Sequence, residues 1–282
     1  MIEKFRFKPR TKISGYPTRI DDLYSDDDDY ESKLDAIKDS ITKKQDLLFA
    51  SRHYGVLAIF QGMDTSGKDG AIKNVFGSLN PLGVESAAFA APSSEERKRD
   101  FLWRTHVRIP PRGKIGIFNR SYYEEVLTVR VNPELLMGQM LPSETSNRKT
   151  IWDDRFKDIN NYESYLRNQG IRVIKFFLHL SKQEQKERLL ARIDDPSKNW
   201  KFDPTDLRDR ALWPKFMRVY EDCLSKTSTA HAPWYVIPAD DKKNARLLTA
   251  MAFDDFLSDL PLRKPTVSAE QVRLLKRLRS SL

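Results

Sequence analysis

The residues with the clearest capacity for chemistry run from Gly62 to Lys68, read GMDTSGK, and fit the G-x-x-x-x-G-K part of a phosphate-binding loop. They follow an apolar run and open a predicted helix, so backbone N–H groups and the positive helix end converge where phosphate oxygens would lie. An ordinary strand-to-helix turn with an exposed lysine is the less favoured alternative. The residues expected to bind phosphate here are Gly62, Ser66, Gly67, Lys68 and Asp69.

Asp69 stands where most such loops place a Ser or Thr that helps to hold magnesium. Magnesium prefers hard oxygen ligands and usually keeps several waters, so a carboxylate can take over this task. Asp64 is the first candidate for the metal ligand, and Asp69 would support it or the start of the helix. A purely structural role for Asp69 is the alternative. We expect Mg²⁺ as the cofactor, with Mn²⁺ as its substitute.

A second wall of the site is predicted where the strand KIGIFNR ends in polar side chains, because ligands collect at the carboxyl ends of parallel strands. Asn119 stands where phosphate-loop enzymes commonly carry a second magnesium-binding Asp, and an amide cannot supply the same charge. Glu124 or Asp64 is expected to offset the missing carboxylate. The cations predicted to contact phosphate here, rather than to form local ion pairs, are Arg120 and Arg130.

Arg188 and Arg192 lie four residues apart on a predicted helix, which a capping box of Ser181 and Glu184 opens. The helix leads into a polar bridge that reads DDPSKNWKF. Such a helix face suits a lid, because phosphoryl transfer spreads negative charge over equatorial oxygens and closing arginines stabilise that charge while excluding water. A plain ion pair between Glu184 and Arg188 is the alternative.

The elements that must position these residues alternate along the chain. Short apolar runs predict strands at 54–61, 84–90, 114–120, 171–180 and 234–239. Helical spacing and capping signals predict helices at 31–53, 67–79, 94–107, 144–168, 182–193 and 203–225. Strands separated by helices imply βαβ units, so the predicted fold is α/β with a mainly parallel sheet.

The composition sets the broad class of protein. The chain has 282 residues, 39% of them hydrophobic, which suffices for one large α/β domain. Its net charge of +9 favours anionic partners such as polyphosphate, nucleotides or nucleic acid. The single Cys223 excludes an intramolecular disulfide and suits a reducing compartment. We find neither a signal-peptide core nor an apolar run of about 20 residues, so we expect a cytoplasmic protein without a membrane partner.

Three parts are expected along the chain. They are an N-terminal arm on the surface at 1–30, a phosphate-loop kinase domain at 31–262 with its lid at about 185–210, and a C-terminal amphipathic helix at 263–282. The acidic run at 26–29 is interpreted as a solvated loop rather than as a cation site.

The C-terminal helix is predicted from a capping box of Ser268 and Gln271, with an apolar face opposite a basic one. It is expected to dock on the body of the protein or on a neighbouring subunit of a homo-oligomer, with nucleic-acid binding the less favoured use. The apolar positions are Val272, Leu275, Leu278 and Leu282.

Several unlinked motifs in order along residues 50–245 resemble the polyphosphate kinase 2 family. The motifs are GMDTSGKDG at 62–70, FLWR at 101–104, IFNRSYYEEVLTVRV ending at 131, DPSKNWKF at 195–202 and TSTAHAPWYVIPAD at 227–240. The resemblance implies a thymidylate-kinase-like αβα sandwich with a helical lid and dependence on magnesium. It also implies reversible phosphoryl transfer between polyphosphate and the nucleotides AMP, ADP and ATP, with GMP and GDP as further candidates.

The resemblance also implies roles for individual residues. By position, the catalytic set comprises Asp64, Lys68, Arg120, Glu124, Arg188 and Arg192, with Arg130 in the second motif and Asp64 and Asn119 at the metal. Where many members read FDRSWYN, this chain reads FNRSYYE, so Asn119 replaces an Asp and Glu124 replaces an Asn. The same variant resembles the subgroup that phosphorylates AMP as well as ADP.

Two rival functions stay open at this point. An ATP-dependent nucleoside monophosphate kinase would share the architecture and the phosphate loop. The second rival is a non-catalytic protein that keeps the phosphate-loop fold and either binds nucleic acid or has a regulatory role. It would explain the basic tail. The presence of Lys68 together with Asp64 and Arg120 argues against this second rival, and no nucleic-acid partner is expected.

Overall fold

Five parallel strands form one sheet in the spatial order β2-β3-β1-β4-β5. The computed structural model describes residues 1–279, without the side chain of Lys201. The strands are β1 (Gly55–Gln61), β2 (Val84–Ala88), β3 (Ile115–Asn119), β4 (Ile171–His179) and β5 (Trp234–Pro238). All five lie at the predicted positions. Four of them are buried along nearly their whole length, as expected of strands covered by helices on both faces, whereas β2 at the sheet edge is partly exposed.

The described residues form thirteen α-helices. The long ones are α1 (Asp27–Ser51), α2 (Lys68–Phe76), α8 (Ile151–Asn168), α9 (Lys182–Asp194), α10 (Pro204–Ala211), α11 (Trp213–Thr227), α12 (Lys242–Ser258) and α13 (Ala269–Arg279). Of these, α1, α2, α8, α11 and α12 cover the sheet. The short ones are α3 (Ser94–Arg97), α4 (Trp103–His106), α5 (Thr128–Val131), α6 (Pro133–Met137) and α7 (Ser143–Ser146). None of the helices within residues 1–279 is both long enough and apolar enough to cross a bilayer.

The sheet separates two apolar cores, which confirms the three-layer αβα sandwich. Alternate residues of β1 point to opposite sides: Val56, Ala58 and Phe60 pack with α1, α2 and α12, whereas Leu57 and Ile59 pack with α8 and α11. The carboxyl ends of the five parallel strands therefore lie at one edge, above which α9 and α10 are placed.

Three predicted helices are each divided in two. The stretch at 94–107 forms α3 and α4, and the stretch at 144–168 forms α7 and α8. The stretch at 203–225 breaks at Leu212 between α10 and α11, because Pro214 in the first turn of α11 has no N–H to donate and its ring excludes a continuous helix.

The expectation of a surface arm at 1–30 is wrong. Ile2, Phe5, Phe7 and Ile13 are at most 7% exposed, and Phe5 and Phe7 enter the two different cores. The backbone N–H of Phe7 donates to the carbonyl of Trp234 at 2.7 Å, which fixes the segment beside β5. Alternating apolar residues allow this short segment to reach both faces of the sheet.

The acidic run at 26–29 is the start of a helix rather than a loop. Asp26 caps α1 by accepting from the N–H of Asp29 at 2.8 Å, and the next three residues occupy the first turn. Carboxylates are favoured there because the helix N-terminus carries partial positive charge.

The predicted C-terminal helix is present as α13, which begins at Ala269 rather than at 263, and both hydrogen bonds of the Ser268–Gln271 capping box are present. It buries no residue against the rest of the described chain, so docking on the body of the protein is not observed. Val272 and Leu275 are 40% and 57% exposed, and Leu282 lies outside the described residues. Docking on a neighbouring subunit stays a prediction.

Candidate active site

The loop between β1 and α2 requires glycine at two positions. Gly62 has a φ of +154°, and a Cβ built there would lie 2.7 Å from Ser66 Oγ and 2.9 Å from the carbonyl of Leu178. Gly67 has a φ of +99° and precedes the first residue of α2. Both conformations disfavour residues with a Cβ, so the glycines of the motif are needed for the shape of the loop.

Two hydroxyl groups of this loop are buried without a partner. Ser66 is 2% exposed and Thr65 9%, and neither Ser66 Oγ nor Thr65 Oγ1 makes a hydrogen bond within the described chain. A buried polar group without a partner costs about 1–3 kcal/mol. Both residues line the large cavity at the turn that leads into α2.

Lys68 folds back over the loop. Its Nζ donates to the carbonyls of Gly62 at 2.9 Å and Met63 at 3.3 Å, and the side chain is nearly buried. Burial, followed by the charge of Arg120, lowers the pKa of the ammonium group. An ammonium has three N–H donors, so one is left for an anion in the cavity, which Lys68 also lines.

Arg188 holds the loop from behind and has no freedom to act as a mobile lid cation. It is 9% exposed, and a guanidinium has five N–H groups, all of which are engaged here. Its Nε donates to Glu184 at 2.8 Å, so the alternative pairing with that residue is also present. The backbone carbonyls that accept from Nη1 and Nη2 are those of Thr65, Ser66, Ala239 and Asp240.

The second wall meets the loop through an ion pair. Arg120 Nη2 lies 2.5 Å from Asp64 Oδ1, and Arg120 Nη1 lies 3.9 Å from Glu124 Oε2. The charge of Glu124 raises the pKa of the guanidinium, with burial opposing and Asp64 adding to the rise, so Arg120 is a permanent cation. Next to this pair, Asn119 Nδ2 donates to Asp69 Oδ1 at 2.6 Å.

These groups surround a cavity of about 920 Å³ between the loop, the ends of β2 and β3, and the helices α9 and α10. The predicted site residues that line it are Asp64, Ser66, Gly67, Lys68, Asp69, Asn119, Arg120, Arg188 and Arg192. Gly62 and Glu124 lie just behind the lining, each in contact with a residue of it. The structure does not bring Arg130 to the cavity, because its Nη1 pairs with Asp222 of α11 at 2.5 Å.

Two carboxylates of α10 that line the cavity were not predicted from the sequence. Asp206 is 5% exposed and accepts from Arg192 Nη1 at 3.2 Å. Burial, followed by the charge of Asp64, raises the pKa of Asp206 and that of Asp209 to about 6. The sequence does contain a signal for them: a spacing of three residues places Asp206 and Asp209 on one face of the helix that Asp203 caps.

The donor atoms at the loop fit a hard divalent cation. Asp64 and Asp69 supply carboxylate oxygens and Asn119 an amide, although the described residues contain no group of three or more His, Cys, Asp or Glu side chains placed to hold a metal. Mg²⁺ usually binds through one or two carboxylates, waters and the phosphates of the substrate, so a complete protein cage is not required.

Comparison with known proteins gives one consistent answer. Residues 24–263 match the family described as Polyphosphate kinase 2 (PPK2). The chain is 43% identical to the ADP-polyphosphate phosphotransferase of Rhodopseudomonas palustris, covering 97% of this chain and 94% of the relative. It is 38% identical to the AMP/ADP-polyphosphate phosphotransferase of Meiothermus ruber, covering 94% and 96%.

A solved structure shares the fold over nearly the whole chain. The polyphosphate kinase 2 of Arthrobacter aurescens superposes with a TM-score of 0.85 at 36% identity, covering 97% of this chain and 96% of that one.

Proposed function

The chain belongs to the polyphosphate kinase 2 family, and from this membership we propose that its large cavity transfers a phosphoryl group between inorganic polyphosphate and a nucleoside phosphate. The single observation that carries the assignment to this cavity is that Ser66, Gly67 and Lys68 of the phosphate-loop motif line it together with Arg120. Phosphate oxygens in the cavity would meet the helix N-terminus and both cations.

The arrangement supports direct in-line transfer. A terminal phosphate oxygen of the nucleotide attacks the terminal phosphorus of polyphosphate, the bond to the bridging oxygen breaks, and polyphosphate leaves one unit shorter. Lys68, the loop N–H groups and Arg120 stabilise the charge that spreads over the equatorial oxygens. Arg192 adds a cation from the lid side, while Arg188 keeps the loop in the shape that binds phosphate.

Magnesium is the proposed cofactor, with manganese as its substitute. Asp64 would hold the ion, with Asn119 and Asp69 orienting its waters. When bound, the ion neutralises phosphate charge. Arg120 already pairs with Asp64, so it is placed to hold that carboxylate in its position at the mouth of the loop.

The acceptor nucleotides are proposed to be AMP and ADP, with ATP as a product. This choice rests on Asn119 and Glu124 in the second motif and on the names of the two relatives. An ATP-dependent monophosphate kinase and a non-catalytic binding protein are less favoured, because both relatives are named as phosphotransferases and both names pair polyphosphate with ADP or AMP. We further propose that the protein is a cytoplasmic homo-oligomer and that it does not bind nucleic acid.

The test is a matrix of donors and acceptors. Purified protein with Mg²⁺ is given polyphosphate or ATP as donor and AMP, ADP, GMP or GDP as acceptor, and new anhydrides are separated by chromatography. Conversion of AMP and ADP with polyphosphate as the only donor is expected. Turnover that requires ATP and ignores polyphosphate would establish the monophosphate kinase instead.

A further inference from the structure

A fully buried ion pair lies in the core beneath the second wall of the site. Lys175 of β4 and Glu163 of α8 have no exposed side-chain surface, and Nζ lies 2.7 Å from Oε2. Removing two charges from water is costly, and a well-packed apolar pair of similar volume is often at least as stable. Net stability is therefore a poor explanation for this pair.

All polar atoms of the pair are satisfied, in part by two tyrosines. Lys175 Nζ also donates to Tyr123 Oη at 2.9 Å and to the carbonyl of Thr227 at 2.8 Å, which uses its three N–H groups. The hydroxyls of Tyr122 and Tyr123 donate to Glu163 Oε1 at 2.8 and 2.7 Å. Burial, followed by the charge of Glu163, holds the pKa of both tyrosines well above the usual value, so both keep their donor protons.

The two tyrosines belong to the turn that carries the second wall. Tyr122 and Tyr123 lie between Arg120, which has a left-handed φ of 63°, and Glu124. The N–H of Arg120 donates to the carbonyl of Phe60 in β1 at 2.9 Å, which ties one side of the turn to the sheet. The tyrosine hydroxyls tie the other side to α8 and β4, so the buried pair determines where the turn lies.

We propose that Glu163 and Lys175 are positioning residues for phosphoryl transfer, acting through the hydroxyls of Tyr122 and Tyr123 to hold Arg120 at the cavity. The inference rests on the proposed function. None of the four residues lines the cavity, so none touches a substrate there. Their effect must be transmitted by the turn, and a displacement of Arg120 by about 1 Å is enough to cost up to a hundredfold in rate.

The first test removes single hydroxyls. Tyr123→Phe and Tyr122→Phe keep the ring and the fold, and each is expected to lower kcat by about tenfold or more while the KM values for polyphosphate and ADP change less than about twofold. Tyr235→Phe is the matched control, because Tyr235 is also buried but lies in the core on the opposite face of the sheet. An unchanged kcat in both Tyr122 and Tyr123 variants would overturn the inference.

The second test asks whether the effect passes through Arg120. Tyr123→Phe is combined with Arg120→Lys in a double-mutant cycle. If the hydroxyl acts by placing the guanidinium, it has little further effect on kcat once the guanidinium is gone. If each substitution instead lowers kcat by the same factor whether or not the other is present, Tyr123 acts independently of Arg120, and this result would overturn the inference.

The third test removes the buried charges together. Glu163→Leu with Lys175→Met leaves no unpaired charge, so the double variant is expected to fold and to lose kcat as Tyr123→Phe does. Wild-type kcat in this variant would contradict the positioning role, and if it fails to fold, the tyrosine variants still decide. A wild-type protein that forms no ATP from polyphosphate would refute the proposed function instead, so the two failures are distinguishable.

Discussion

Nη1 of Arg188 lies 3.0 Å from the carbonyl oxygen of Thr65, so a residue of α9 holds the phosphate loop from behind. The neighbouring cation one helical turn on, Arg192, instead contacts Asp206 of α10. Two arginines that look equivalent in sequence therefore make different contacts, and replacing each one alone is expected to have different effects.

Arg188→Ala is expected to damage both stability and activity. It leaves several buried carbonyls without donors, so the free energy of unfolding should fall by at least about 3 kcal/mol, since each unsatisfied buried group costs about 1–3 kcal/mol. Denaturant unfolding followed by fluorescence measures the loss. A variant as stable as the wild type would show that these hydrogen bonds do not hold the loop.

Arg192→Ala is expected to damage activity alone. Arg192 is 24% exposed at the cavity, so its removal should lower kcat by about a thousandfold, the lower end of the range for arginines that stabilise a transferring phosphoryl group, with KM values little changed. Lys186→Ala, an exposed cation on the same helix, serves as control. A raised KM with normal kcat would place Arg192 outside the transition state.

Asp209→Asn is expected to change how stability depends on pH. Burial and then Asp64 raise the pKa of Asp209 to about 6 in the folded protein, above the value of about 3.9 in an unfolded chain. The wild type therefore has the contribution of this group in full below about pH 4 and loses it as the pH rises through about 6. The stability of the variant relative to the wild type should thus increase between about pH 4 and pH 6, as measured by thermal unfolding of both proteins at a series of pH values. A difference in melting temperature that stays constant over this range would contradict the assignment.

Cys223 is expected to be inert in the native protein. Burial raises the pKa of its thiol to about 12, and the thiolate is the reactive form. Labelling by a chromogenic disulfide at about pH 8 should be more than about a hundredfold slower in the native protein than in denaturant, because only a minute fraction is ionised. Rapid labelling of the folded protein would show that the residue is accessible.

The strands and the phosphate loop could be predicted because their signals are local. A strand covered on both faces is an unbroken apolar run, and the glycines of the loop stand next to the groups they accommodate. Arg188 could be placed on a helix beside Glu184, but the four backbone carbonyls that accept from its Nη1 and Nη2 lie more than fifty residues away in the chain, which no local pattern encodes. The role of Lys175 could not be predicted for the same reason. In the sequence it is one charged residue within an apolar strand, and its partner Glu163 lies on a different element, α8.

The direct test of the central claim is the initial rate at which polyphosphate converts ADP to ATP in Lys68→Ala, compared with Lys73→Ala, which removes an exposed cation from the same helix. We predict a loss of at least about a hundredfold for Lys68→Ala, the usual cost of removing one donor to a developing anion, and a near-normal rate for Lys73→Ala. A folded Lys68→Ala protein that keeps the wild-type rate would contradict the account.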